Sequence, residues 1–357
     1  PAVPGSTDQV DVDYSVTEQA SGSISLGIGF SQTSGIILNG SITQDNFLGS
    51  GRRVSVSVNN SDVSKLFSFS YTNPYYTVDG VSRGFGAFFR DTDADEANIA
   101  DYSTDTYGVN VTYGFPISEY NSFRFTIEAD SLKLKTSEFS STEITEFVDE
   151  HGDNFKSLGL STSLAHDTRN RTIFPSSGGL RRISMEAKIP GSELEFYKVD
   201  LRIQQYIPLT KLFVFHTKAD VGYGDGYGDF DNLPFFENYF AGGVRSVRGF
   251  EDNSLGPRDS DNDPLGGSFR TVANAEILFP PPFLTQSNSV RLSTFFDVGN
   301  VFPGVEDFES NDLRMSVGIG ATWLSPVGPL AVSFAVPLND EDDDDVQEFQ
   351  FSLGAGF

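Results

Sequence analysis

The sequence predicts an all-β fold, a sixteen-stranded antiparallel transmembrane β-barrel, from three observations. Apolar and polar residues alternate with a period of two in a segment roughly every 15 to 25 residues from Gly22 onward, about sixteen segments in total. No stretch approaches the roughly 18 consecutive apolar residues that a membrane helix requires. The 357 residues include 33 Phe, 13 Tyr and 35 Gly against 2 Met, a bias toward strands, tight turns and aromatic girdles.

Taken in order, Ile24, Leu26, Ile28 and Phe30 share one face of the first strand, followed by Val54, Val56 and Val58 and later by Ile183, Met185, Ala187 and Ile189. Tyr197, Val199, Leu201 and Ile203 alternate with Lys198, Asp200, Arg202 and Gln204, and Leu313, Met315, Val317 and Ile319 alternate with Arg314, Ser316 and Gly318. Alternation alone does not say which face is outside, because a soluble sandwich would hide the apolar face and show the polar one. The even strand number, the charges on the inward face and the aromatics at strand ends decide for a barrel in lipid. In the last strand, Phe349, Phe351, Leu353, Ala355 and Phe357 would face lipid, with Gln350, Ser352, Gly354 and Gly356 inward. One strand changes phase, from Phe123, Phe125, Ile127 and Ala129 to Leu132 and Leu134. A β-bulge near Asp130 or Ser131 would restore its facing.

The connections alternate as well. Leu48 to Gly51, Asn73 to Tyr76, Phe115 to Ile117, Phe174 to Gly178, Ile207-Pro208, Phe279 to Pro282 and Ser325 to Pro329 are short and rich in Pro or Gly, as periplasmic turns would be. Asp91 to Asp105, Thr136 to Asp153, Asp225 to Gly266, Asn300 to Asp312 and Asn339 to Asp345 are long and polar, as extracellular loops would be. Both ends of the barrel then lie on the periplasmic side.

Composition narrows the function. A net charge of −26 opposes binding to a phosphate backbone, so nucleic acid is not an expected partner. The lack of Cys means the fold does not rely on disulfides. His151, His166 and His216 are scattered without metal-ligand spacing, and no nucleophile motif accompanies them, so neither a metal, a cofactor nor an enzyme activity is expected. Gly222 to Asp229 has glycine and aspartate in the manner of calcium repeats but lacks their period and reads as a strand-to-loop transition. Glu341 to Asp345 reads as a solvated loop whose acidity could draw divalent cations.

The segment from Asp225 to Gly266 is roughly forty residues long, far beyond an ordinary hairpin connection, and loops of that length carry function or are disordered. At its centre stands Val247-Arg248-Gly249-Phe250, which resembles the signature loop of the Omp85 superfamily. The resemblance extends through Tyr239 to Gly243 and Asn253 to Pro257, and across Gln44 to Gly49, Thr72 to Gly80, Phe115 to Ser122 and Trp323 to Leu330. It implies that residues 1–20 are the end of a last periplasmic POTRA domain, with the opening of the chain a truncated or processed start, and that 21–357 form the barrel. It also implies that loop six folds into the lumen and sets Arg248 against inner-wall carboxylates. Alternation independently offers Glu276, on the parity of Arg270 and Asn274, and Asp297, on the parity of Arg291 and Ser293. An arginine fork on two carboxylates could hold a long loop in place. The chain departs from the enterobacterial pattern in having a shorter loop six without a cysteine pair, which leaves open how the tip is braced.

Gly22, Gly27 and Gly29 in the first strand, and Phe349, Phe351, Gly354, Gly356 and Phe357 in the last, mark a candidate lateral gate, because glycine weakens strand pairing. The plainer reading is that these glycines relieve crowding inside the barrel. The resemblance implies an insertase without covalent chemistry, in which the edge of the first strand templates an incoming strand. The implied partners are unfolded outer-membrane proteins, accessory lipoproteins, lipopolysaccharide and phospholipid, in the outer membrane of a Gram-negative bacterium. A secretion pore of the same superfamily and a passive porin are the alternatives.

Overall fold

The computed structural model describes residues 12–15, 17, 20–282, 289–325 and 328–354. The barrel strands are β1 (Gly22–Ser31), β2 (Gly35–Gln44), β3 (Arg53–Asn60), β4 (Ser64–Asn73), β5 (Ser82–Asp93), β6 (Ser103–Pro116), β7 (Asn121–Lys135) and β8 (Asn154–Asp167). They continue as β9 (Gly178–Lys188), β10 (Phe196–Pro208), β11 (Val214–Gly226), β12 (Phe269–Phe279), β13 (Val290–Phe302), β14 (Arg314–Ser325), β15 (Gly328–Pro337) and β16 (Phe349–Leu353). Each pairs antiparallel with its chain neighbours, and β16 returns to β1 to close the barrel. Closure leaves no open sheet edge in lipid, where an unpaired backbone group is costly.

The outer surface explains the alternation. Ile24, Leu26 and Ile28 on β1, Phe67 and Phe69 on β4, Leu160 and Leu164 on β8, Ile183 and Met185 on β9 and Val317 and Ile319 on β14 are all exposed. A continuous apolar belt of this kind has no place in water and matches a bilayer core. The opposite parity turns inward and is polar: Lys188 on β9 meets Asp130 on β7 at 2.7 Å, both nearly buried.

The expected bulge in β7 is absent. Its register with β6 runs unbroken through Gly108↔Asp130, Tyr107↔Ser131 and Thr106↔Leu132, and its register with β8 is equally continuous. Leu132 and Leu134 face inward because β7 rises past the polar lumen into an apolar cap. There they pack with Ile144, Phe155, Leu194, Phe196, Phe230 and Phe235. This cap also contains a helix that the sequence reading missed, α1 (Thr142–His151). The signal was present: Ile144, Phe147, Val148 and His151 recur at helical spacing, and Gly152 follows at the C-terminus with φ +86°.

Of residues 1–20, only 12–15, 17 and 20 are described, and none is in a strand or helix. Ala355, Gly356 and Phe357 lie outside the described residues.

Candidate functional site

Loop six runs from the end of β11 to the start of β12 and descends along the inner wall. Gly249 takes φ +96°, a conformation that a side chain resists. A Cβ there would also come within 3.2 Å of the Ala335 side chain and 3.5 Å of Ser316. The motif therefore lies flat on β14 and β15. Val247 and Phe250 are fully buried with Tyr239, Ala241, Leu255, Val272 and Val301.

Arg248 points across to β12 and β13. Its Nε and Nη2 donate to the two Asp297 oxygens at 2.7 and 2.8 Å, and its backbone N–H donates to the same carboxylate at 3.1 Å. Nη2 also lies 2.7 Å from Glu276. The guanidinium plane covers the Phe295 ring at 3.4 Å. Planar charge, bidentate geometry and ring stacking suit arginine and not lysine. Both carboxylates stand where alternation put them, on the inner face.

Around this centre are residues that the sequence reading missed. Asn274 donates to Asp297 at 2.8 Å and to the Ser246 carbonyl at 2.7 Å, tying wall and loop together. His216 on β11 holds the second Glu276 oxygen at 3.0 Å and stacks on Tyr206. Phe295, Asn274 and His216 all lie on inward parity, but parity does not tell which inward residues share the height of Arg248.

The tip of the loop is braced by polar contacts. Arg258 donates to the Asn262 carbonyl at 2.8 Å and pairs with Asp345 at 2.6 Å. Asp259 accepts the backbone N–H groups of Asp261 and Asp263. Asn98 and Asn253 exchange side-chain bonds to the Asp252 and Ala97 carbonyls. Glu251 is held above the ordinary carboxyl range, by burial first and then by the charges of Asp345 and Asp252. Arg314 engages Glu341 and Asp344 at 2.9 and 2.5 Å. With Asp345 on Arg258, three carboxylates of the acidic loop share two arginines.

At the seam, β1 and β16 meet through two register pairs among the described residues, Phe30↔Leu353 and Ser31↔Ser352. Over the same described residues of β16, β15 supplies five pairs. Gly29 and Gly354 bring backbone against backbone: a Cβ on Gly29 would sit 2.7 Å from the Leu353 carbonyl oxygen, and one on Gly354 would sit 2.9 Å from the Gly29 Cα. Phe351 stacks on Phe30 at 5.5 Å, and Phe349 is exposed on the outer face. Past the end of β1, the Gln32 side chain takes over the ladder. Its Oε1 accepts from the Phe351 N–H at 2.9 Å and its Nε2 donates to the Phe349 carbonyl at 3.4 Å. On the other side of β1, Gly22 and Gly27 pair with Gln44 and Asn39 of β2.

A closed sixteen-stranded barrel with an inward loop clamped by one arginine defines a class. The Omp85 superfamily domain matches residues 46–357, and the chain belongs to that superfamily. It is similar to the outer membrane protein assembly factor BamA of Neisseria meningitidis serogroup B, 33% identical over 100% of this chain and 50% of the relative. The BamA of Nitratidesulfovibrio vulgaris is 27% identical over 98% of this chain and 44% of that relative. The chain thus spans about half the length of these curated relatives. Among solved structures, BamA from Haemophilus ducreyi lacking POTRA domains 1-3 superposes with a TM-score of 0.88 at 32% identity, covering 99% of this chain and 73% of that one.

Proposed function

We propose that this barrel is the membrane portion of an outer-membrane protein assembly factor that folds and inserts other barrels through the β1–β16 seam. The observation that carries the reading is the end of the seam at Phe349 and Phe351, where the main chain of β16 is held by the Gln32 side chain and not by the main chain of β1. A seam end held by a side chain parts more easily than one held by main chain, and the freed β1 edge can pair with an incoming strand through main-chain hydrogen bonds, which place little demand on client sequence. An unpaired edge in hydrocarbon is costly, so opening and client capture are coupled. No covalent step is involved. The clients are unfolded outer-membrane proteins; accessory lipoproteins act at the periplasmic side, and phospholipid and lipopolysaccharide surround the belt. The 1–20 segment is assigned to the last POTRA domain.

The test is a cysteine pair, Ser31→Cys with Ser352→Cys, in the full-length protein in its membrane. Oxidation is expected to stop client assembly with the barrel still folded, and reduction to restore it. Full assembly with the seam quantitatively locked would overturn the reading and favour a pore that works without opening sideways.

A further inference from the structure

Loop six touches the last strand of the seam and the turn that follows the first, by contacts separate from the Arg248 anchor. Gly249 and Phe250 form a two-residue antiparallel ladder with Val346 and Gln347, immediately before β16. The Glu251 N–H extends it by donating to the Asp345 carbonyl at 2.8 Å. Gln350, on the inward face of β16 and 1% exposed, completes the junction. Its Nε2 donates to the Phe250 carbonyl at 2.7 Å, and its Oε1 accepts from the Gly249 N–H at 3.4 Å. On the other flank, Thr33, in the turn that follows β1, donates its hydroxyl proton to the Asp252 carboxylate.

We infer that loop six is a clasp across the β1–β16 seam, with Gln350 and Asp252 as positioning residues that hold the last and first strands in register. The physical case rests on cost. Among the described residues β1 and β16 share two register pairs, so hydrogen bonds from a third element add appreciably to what holds this end of the seam. A buried amide that satisfies a backbone carbonyl and an N–H cannot lose either partner without leaving a polar group unpaired. Loop six is itself fixed to β12 and β13 through Arg248, so the clasp ties the seam to the wall at these strands. The inference rests on the gate reading for its consequence, but its test reads the seam and not assembly.

The Ser31→Cys/Ser352→Cys pair in the full-length protein reports seam register through its rate of oxidation. A second pair on the same inward parity, Thr322→Cys with Ala331→Cys, reports the β14–β15 ladder, where these residues are register partners. Gln350→Leu is expected to slow oxidation at the seam about tenfold, the shift that follows loss of one or two hydrogen bonds. It should leave the β14–β15 pair unchanged and the barrel folded by heat-modifiable migration. Gln350→Glu keeps the acceptor and loses the donor, and Asp252→Ala releases the other flank. Both are expected to act in the same direction, and they keep the test open if Gln350→Leu does not fold. An unchanged seam rate in folded variants, or equal slowing at both pairs, would overturn the inference.

Discussion

Arg248 holds its loop by shape as much as by charge. Lysine would keep the charge but lose the two-point grip on Asp297 and the face laid on Phe295. Asp297→Ala leaves a buried guanidinium with one carboxylate in place of two, and breaking a buried pair typically costs about 3–5 kcal/mol. Because Glu276 remains at 2.7 Å, the expected loss lies at the lower end, near 3 kcal/mol. It should appear as faster proteolysis within loop six while the barrel stays folded; unchanged cleavage would show that the loop is held by its apolar contacts. At this scale the sequence was partly legible. Strand periodicity is rigid, so Glu276 and Asp297 could be assigned to the inner face from their neighbours alone, and Arg248 was marked by its family motif. Phe295, Asn274, His216 and Gln350 were not singled out, because choosing them requires the stagger between strands, which a single chain's alternation does not encode.

At the scale of elements, β7 shows why an apolar face need not be a lipid face. If leucine must point outward, its phase change predicts a bulge; the strand instead keeps its register and leaves the lumen for an apolar cap. Strand number, order and the two classes of connection were legible, since each depends on local alternation or on turn chemistry. The cap was not, because it is assembled from four loops and three strands. Phe155 is its fully buried hub on β8, in contact with Phe147 of α1. Phe155→Ala is expected to cost the cap about 3–5 kcal/mol. Amide hydrogen exchange should rise across α1 and residues 230–236 while β1 to β6 remain protected. Protection lost evenly around the barrel would mean that the cap and wall unfold as one unit.

For the whole molecule, the cap above and loop six within obstruct the lumen that an open porin would leave free. Deleting residues 244–258 with a short glycine linker is expected to raise single-channel conductance in a planar bilayer several-fold over the intact barrel. Equal conductance would mean that loop six does not occlude the path. The seam is the other molecular-scale feature, and Gln32 changes how it can part. A conventional ladder exposes several backbone groups to hydrocarbon at once when it separates. Here the Phe349 carbonyl and the Phe351 N–H are held by one flexible amide instead of a neighbouring main chain. In the proposed opening, rotation of that one side chain would offer both groups to an arriving backbone, so the exchange of partners, as in strand displacement, would begin at this end of the terminal strand.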